Sequence, residues 1–402
     1  MKRYIAITLC FILSISLFGC RKINPTDSSF YSTGSNILPT TSSDNTSSDS
    51  ASLGDDSSST QTDSSSTNNQ SSQTFEEKYG FNRLVDVEYE CLKEIPGDDA
   101  QYEVKTVTTD TGYAFIYAIF LSCDDKSIII KDRTVTVPFE YRQKHDSVTL
   151  TATHNLAKVS TKFTITFDKW DLVFEENFDG TELNTDIWNV WDEKRDWHYS
   201  YSKDAMFLDG NGNLINRMTS KDNPTSPDNP IRTSGAITTQ GKYETTYGYF
   251  EVSMKPHKAT GLMGAFWLMC GDMGDPNAAN DGTAVNGCEV DIIETFYHNL
   301  NPSQTIHWDG YTHTKSKSFN KTNSPEIFDG NYHTFGFLWT PEEYVFFIDG
   351  EVNARTDEMG ICNQPGYLLI SSHFNDEAGE FSVTQTDMAV DYVRVYKTDA
   401  LK

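Results

Sequence analysis

The chain has 402 residues, with 32 Lys and Arg against 58 Asp and Glu for a formal charge of −26, and 37% of it is hydrophobic. Such acidity argues against nucleic acid or an anionic lipid surface as ligand. The length allows two folded domains once low-complexity sequence is set aside.

Residues 1–20 read as a targeting segment: Lys2 and Arg3 give a basic start, Ile5 to Leu17 is an apolar run short for a membrane span, and Leu17-Phe18-Gly19-Cys20 looks like a bacterial lipobox. A mature protein lipidated at Cys20 is expected, anchored to a membrane at the bacterial cell surface, outside the cytoplasm. Residues 21–75 are mostly Ser, Thr, Asn, Asp and Gln, with no Lys, Arg or aromatic residue from 41 to 74. Nothing there offsets the entropy of ordering, so a disordered tether spanning roughly 40 Å is expected.

In residues 76–169, β-rich runs recur at Tyr102–Thr108, Ala114–Leu121, Ser127–Lys131, Thr134–Phe139, Ser147–Ala152 and Thr161–Phe167, separated by turn residues. That spacing predicts an immunoglobulin-like β-sandwich. It serves either as a spacer or as a carbohydrate-binding module, with Tyr102, Tyr113 and Tyr117 the stacking candidates.

Residues 170–398 alternate strands with Gly, Asn and Asp turns, which predicts a larger two-sheet antiparallel β-sandwich, a jelly roll with a concave cleft. Its densest chemistry is Glu289-Val290-Asp291-Ile292-Ile293-Glu294. Strict alternation puts Glu289 and Asp291 on one face and Glu294 on the other. A β-bulge at Ile292-Ile293 brings the third acid into phase and shortens the separation of the two Glu carboxyls toward roughly 5 Å. From these six residues alone, a Ca²⁺ site or an acidic solvated strand fits as well.

The flanks distinguish these readings. Together with Tyr247 to Lys255, Gly264-Ala265-Phe266-Trp267-Leu268, Ile306-His307-Trp308 and Val390 to Tyr396, the acid strand resembles glycoside hydrolase family 16, the clan of laminarinases, lichenases, agarases and carrageenases. The resemblance spans about residues 170–397 and implies a concanavalin-like jelly roll. It also implies a retaining, endo-acting hydrolase of β-1,3 or mixed β-1,3/1,4-glucan that needs no cofactor for catalysis. Glu289 would be the nucleophile, Glu294 the general acid and base, and Asp291 a hydrogen-bond partner of Glu289. Trp267, His307, Trp308 and Trp197 would meet the sugar, although a core position is the alternative for the first three. A galactan hydrolase of the same family and a non-catalytic glycan-binding lipoprotein are the competing expectations. Polysaccharide is the expected partner of a monomer.

Two positions depart from the family pattern. Met263-Gly264 stands where many laminarinase-like members have Trp-Pro, and Asn177 replaces the Glu of the usual Asp-Glu-Phe opening. The second weakens a structural Ca²⁺, for which Asp391 is the matching ligand. Of seven Cys, Cys10 and Cys20 fall in the first twenty residues. The odd remainder cannot all pair; Cys270–Cys288 and Cys91–Cys123 are the candidate bridges, and no spacing resembles a zinc site.

Overall fold

The computed structural model describes residues 78–194, 199–222, 230–375 and 378–402. The expectations for Cys20, the tether and Trp197 therefore lie outside the described residues. Among the described residues no helix is long and apolar enough to cross a membrane.

Two antiparallel sandwiches follow one another. In the smaller, one sheet runs in the order Leu84–Lys93, Ala100–Thr109, Thr134–Val137, Ile129–Lys131, and the other pairs Ile119–Ser122, Ser147–His154 and Val159–Thr166. Apart from the two-residue strand Ala114–Phe115, which adds to the first sheet, four strands over three in this order is the arrangement of an immunoglobulin constant-type domain. Alternating residues close its core, with Tyr102, Val135 and Val137 from one sheet meeting Val148, Leu150 and Ile165 from the other. The expected run Ala114–Leu121 is broken: Ala114–Phe115 stays with the first sheet, Ile119–Ser122 joins the second, and Ala118 turns between them at φ 59°. Tyr102 is no stacking platform. It is wholly buried, and its hydroxyl donates to Glu94 Oε2 at 2.5 Å. Tyr113 and Tyr117 are exposed.

The larger sandwich begins with Asp171–Glu176, which pairs with the long strand Gln385–Lys397. One sheet carries Ala236–Thr238, Gly366–Phe374, Leu262–Gly271, Gly287–Phe296, Asn301–Trp308 and Lys315–Asn320 in that spatial order. The facing sheet is centred on Leu214–Lys221, Gln385–Lys397, Gly248–Lys255, His333–Trp339 and Tyr344–Ile348. Phe250, Phe335, Phe337, Trp339 and Val393 from the second sheet pack on Phe266, Leu268, Val290, Ile306 and Ile370 from the first. This interior uses one face of each strand and leaves the other face of the Gly287–Phe296 sheet for the cleft.

The two sandwiches are tied through the segment after Lys93. Ile95 is 1% exposed and packs against Tyr249, Val345, Phe347 and Trp170. Arg142 holds this segment by donating to Ile95 O at 2.9 Å and Asp98 O at 2.5 Å, and the Arg355 guanidinium donates to Leu92 O. The smaller body thus sits behind the facing sheet, away from the cleft.

Candidate active site

The acid strand Gly287–Phe296 is bulged. Asp291 pairs with Thr305 and Glu294 with Ser303, so Ile292 and Ile293 together stand opposite the single residue Gln304. This is the position the acid spacing requires. Toward the other neighbour, Ile293 meets Phe266 and Asp291 meets Trp267, which makes Ile292 the extra residue. Both isoleucines are buried, and the apolar interior takes two consecutive side chains where regular alternation admits one. The carbonyl that the bulge leaves out of the ladder accepts from Gln304 Nε2 at 2.9 Å; the same nitrogen donates to Phe347 O at 3.2 Å.

As a result Glu289, Asp291 and Glu294 line one cavity of about 250 Å³ with Trp191, Trp267, Met263, Ala265, Tyr201, Tyr311 and His373. Met263, Ala265 and Trp267 are alternate residues of Leu262–Gly271. Between them Gly264 points inward, where an added Cβ would stand 2.6 Å from Met388 Sδ. The departure from Trp-Pro thus leaves Met263 as the cleft side chain at that position. Trp267 is fixed by its indole N–H donating to Ser371 Oγ at 3.1 Å. His373 is set by Tyr201, whose hydroxyl lies 2.6 Å from Nε2.

The carboxyls are unlike. Burial raises Glu294 well above the ordinary carboxylate range, and the charges of Asp291 and Glu289 add to it. Asp291 is raised well above its ordinary value by the same causes, burial first and Glu289 second. Burial also raises Glu289, but the Tyr311 phenol, which donates to Glu289 Oε2, and the His307 ring oppose the rise. This arrangement keeps a proton on Glu294 while favouring charge on Glu289, the division that double displacement needs.

The expected Asp291–Glu289 hydrogen bond is replaced by another contact. Asp291 Oδ2 lies 3.2 Å from Nε2 of His307, the residue across from Glu289 in the ladder, without hydrogen-bond alignment. Glu289, Asp291 and His307 offer donor atoms within 4.8 Å of one another, a spacing that also suits a cation. The phenol on Glu289 and the raised proton affinity of Asp291 compete with that use. His307 thus touches the acids. Trp308, next along the strand, points to the other side: it pairs with core-facing Cys288 and packs on the interior, so the expected sugar contact is not made. Tyr199 is likewise buried in that core.

Asp391 lies on the facing sheet, where its Oδ2 accepts from Ser253 Oγ at 3.3 Å. The convergent acidic, His and Cys groups among the described residues do not include it.

Tyr201, Met263, Ala265, Gln304, Tyr311 and His373 were not anticipated. Met263 and Ala265 were legible in principle, since they share Trp267's alternation. Tyr311 and His373 reach the cleft through a loop turn and a strand neighbour that local pattern does not encode.

Glycosyl hydrolases family 16 matches residues 134–394, from the Thr134–Val137 strand through the larger sandwich. An endo-1,3-1,4-beta-glycanase EglC of Rhizobium meliloti (strain 1021) is 29% identical over 161 residues, covering 39% of this chain and 32% of that protein. The chain thus spans about a third of the length of that relative (32%). A beta-glucanase of Rhodothermus marinus is 24% identical over 257 residues, covering 57% of this chain and 85% of the relative. The catalytic domain of an endo-1,3-beta-glucanase (laminarinase) from Thermotoga petrophila RKU-1 superimposes with TM-score 0.48 at 21% identity, over 58% of this chain and 99% of that one. With its family matched over more than half of its length, this chain belongs to glycosyl hydrolases family 16.

Proposed function

We propose that the protein is a retaining, endo-acting hydrolase of β-1,3- or mixed β-1,3/1,4-linked glucan. The carrying observation is the bulge that turns Glu294 to the same cavity as Glu289. Glu289 attacks the anomeric carbon while Glu294 passes its proton to the leaving oxygen; the ester on Glu289 is then released by water that Glu294 deprotonates. Forming the ester removes the charge on Glu289, which makes Glu294 easier to ionise for the second step. The named activities of the Rhizobium and Rhodothermus relatives motivate the glucan assignment.

Reducing-end release from laminarin, lichenan, barley glucan, agarose and xyloglucan tests the substrate, and the anomeric configuration of the first product tests retention. Cleavage of agarose alone would move the reading to a galactan hydrolase. Glu289→Ser should abolish hydrolysis and keep binding. Glu294→Ala should spare substrates with good leaving groups and regain rate with azide; absence of rescue would remove Glu294 from its role.

The reading includes attachment outside the cytoplasm through a lipid on Cys20, motivated by the lipobox pattern. Fatty-acid labelling of the wild type that persists in Cys20→Ala would refute it. It also takes residues 76–169 and 170–398 as the two folded domains, and limited proteolysis with cleavage confined to residues 21–75 is the expected result.

A further inference from the structure

Beneath the acid strand lies a group of side chains that the reaction does not use. Cys270 on Leu262–Gly271 stands directly opposite Cys288 on Gly287–Phe296, and Cys362, in the irregular segment before Gly366–Phe374, closes on both. Their three sulfurs lie within 4.8 Å of one another, and none of the three residues has exposed surface. The described residues contain no disulfide, so neither Cys270–Cys288 nor Cys91–Cys123 is formed.

The surroundings are the apolar interior of the sandwich. Tyr344 supplies a polar atom: its oxygen accepts the Cys362 N–H at 2.6 Å, which leaves its own proton free for Cys288 Sγ, 3.9 Å away. Gly366 fixes the position of one sulfur, since a Cβ there would stand 2.5 Å from Cys270 Sγ. The thiolate is the form of cysteine that ligates metal, so each sulfur gives up its proton when it binds.

Spacing favours an ion over a bond. Sulfurs at about 2.3 Å from one zinc stand roughly 4 Å apart, within small side-chain shifts of this cluster. A disulfide contracts one pair to about 2.05 Å and leaves the third sulfur placed to exchange with it. A donor set of sulfur alone selects soft or borderline cations over calcium or magnesium.

We propose that Cys270, Cys288 and Cys362 form a buried thiolate site for one d¹⁰ cation of the Zn²⁺, Cd²⁺ or Cu⁺ class. On binding, each remaining S–H proton leaves to solvent as a metal–sulfur bond forms, with no change of oxidation state. The ion ties the two strands that floor the cleft to the Cys362 segment and is structural, because these side chains face away from Glu289. The Gly360–Pro365 segment, with Asn363 exposed, is its way in.

The test uses the whole chain, reduced, stripped with chelator and titrated with Cd²⁺ under nitrogen. The expected result is a sulfur-to-cadmium absorption band saturating at one equivalent, competed by Zn²⁺, with a rise in Tm. Peptide mapping after thiol alkylation should find Cys270, Cys288 and Cys362 protected by Cd²⁺ while Cys91 and Cys123 are modified. Cys362→Ser, folded by circular dichroism, should lose more than the roughly 100-fold in affinity that removing an outer partner of a metal site can cost. The double variant Cys91→Ser/Cys123→Ser should titrate as the wild type does. Absence of the band, its loss in that double variant, or protection that does not map to the three cysteines would overturn the site. So would a native chain lighter by two hydrogens with Cys270 linked to Cys288. The wild-type mapping decides the matter if Cys362→Ser does not fold.

Discussion

The side-chain amide of Gln304 donates to the carbonyl of Ile292 at 2.9 Å, so a residue with no exposed surface on one strand secures the irregularity of the next. Its other contacts, to Phe347 O at 3.2 Å and from Asn353 Nδ2 at 2.8 Å, extend that hold to the facing sheet. Gln304→Met keeps the shape and removes the amide, leaving buried groups unsatisfied at about 1–3 kcal/mol each. The expected outcome is a lower denaturation midpoint with unchanged m, together with at least a roughly tenfold drop in kcat/KM as Glu294 loses its placement. Lowered stability with intact kcat/KM would show that the bulge holds without this clamp.

Tyr311→Phe isolates the phenol on Glu289. Because that hydrogen bond lowers the proton affinity of the carboxyl, its loss raises it, and the acid limb of the kcat/KM profile should move to higher pH. A charge-assisted hydrogen bond corresponds to about one pH unit. An unmoved acid limb would place the phenol outside the reaction.

His257 has no exposed surface, and burial lowers its pKa to about 4. The unfolded chain takes up this proton near pH 6.5 while the native state does so only near 4, so stability is unaffected above about 6.5 and falls as pH drops through that window. The loss attributable to this residue is on the order of 3 kcal/mol. Urea midpoints at several pH values for wild type and His257→Leu check it: the variant should show a shallower acid decline, and parallel curves would contradict the account.

Ile95→Ala tests the joint between the sandwiches. The truncation empties space against Tyr249, Val345 and Phe347 and should cost about 2–4 kcal/mol. Calorimetry is expected to show one transition in the wild type and two in the variant, as the bodies uncouple. Two transitions already present in the wild type would mean that the joint transmits little.

Alternation and turn residues were enough to read an all-β chain with a smaller sandwich ahead of a larger one, and three acids in six residues, taken with the flanking motifs, were enough to expect the bulge. The first strand, Leu84–Lys93, was missed although its acids Asp86, Glu88 and Glu90 alternate with Val87, Tyr89 and Cys91 at strand period. Trp308 was misplaced through a one-residue question of facing that its partner Cys288 settles. Tyr311, His373 and the Cys362 contact depend on segments far apart in the chain, which no local periodicity records.

The inserted residue in the acid strand makes substitution and deletion unequal events. Exchanging Ile292 for Val or Leu changes a volume in the interior, whereas deleting it alters the parity of the strand beyond that point, sending a carboxyl inward and Thr295 out to the solvent side. In an evolving lineage, then, the machinery can absorb many point changes along this strand yet be lost through the excision of a single codon.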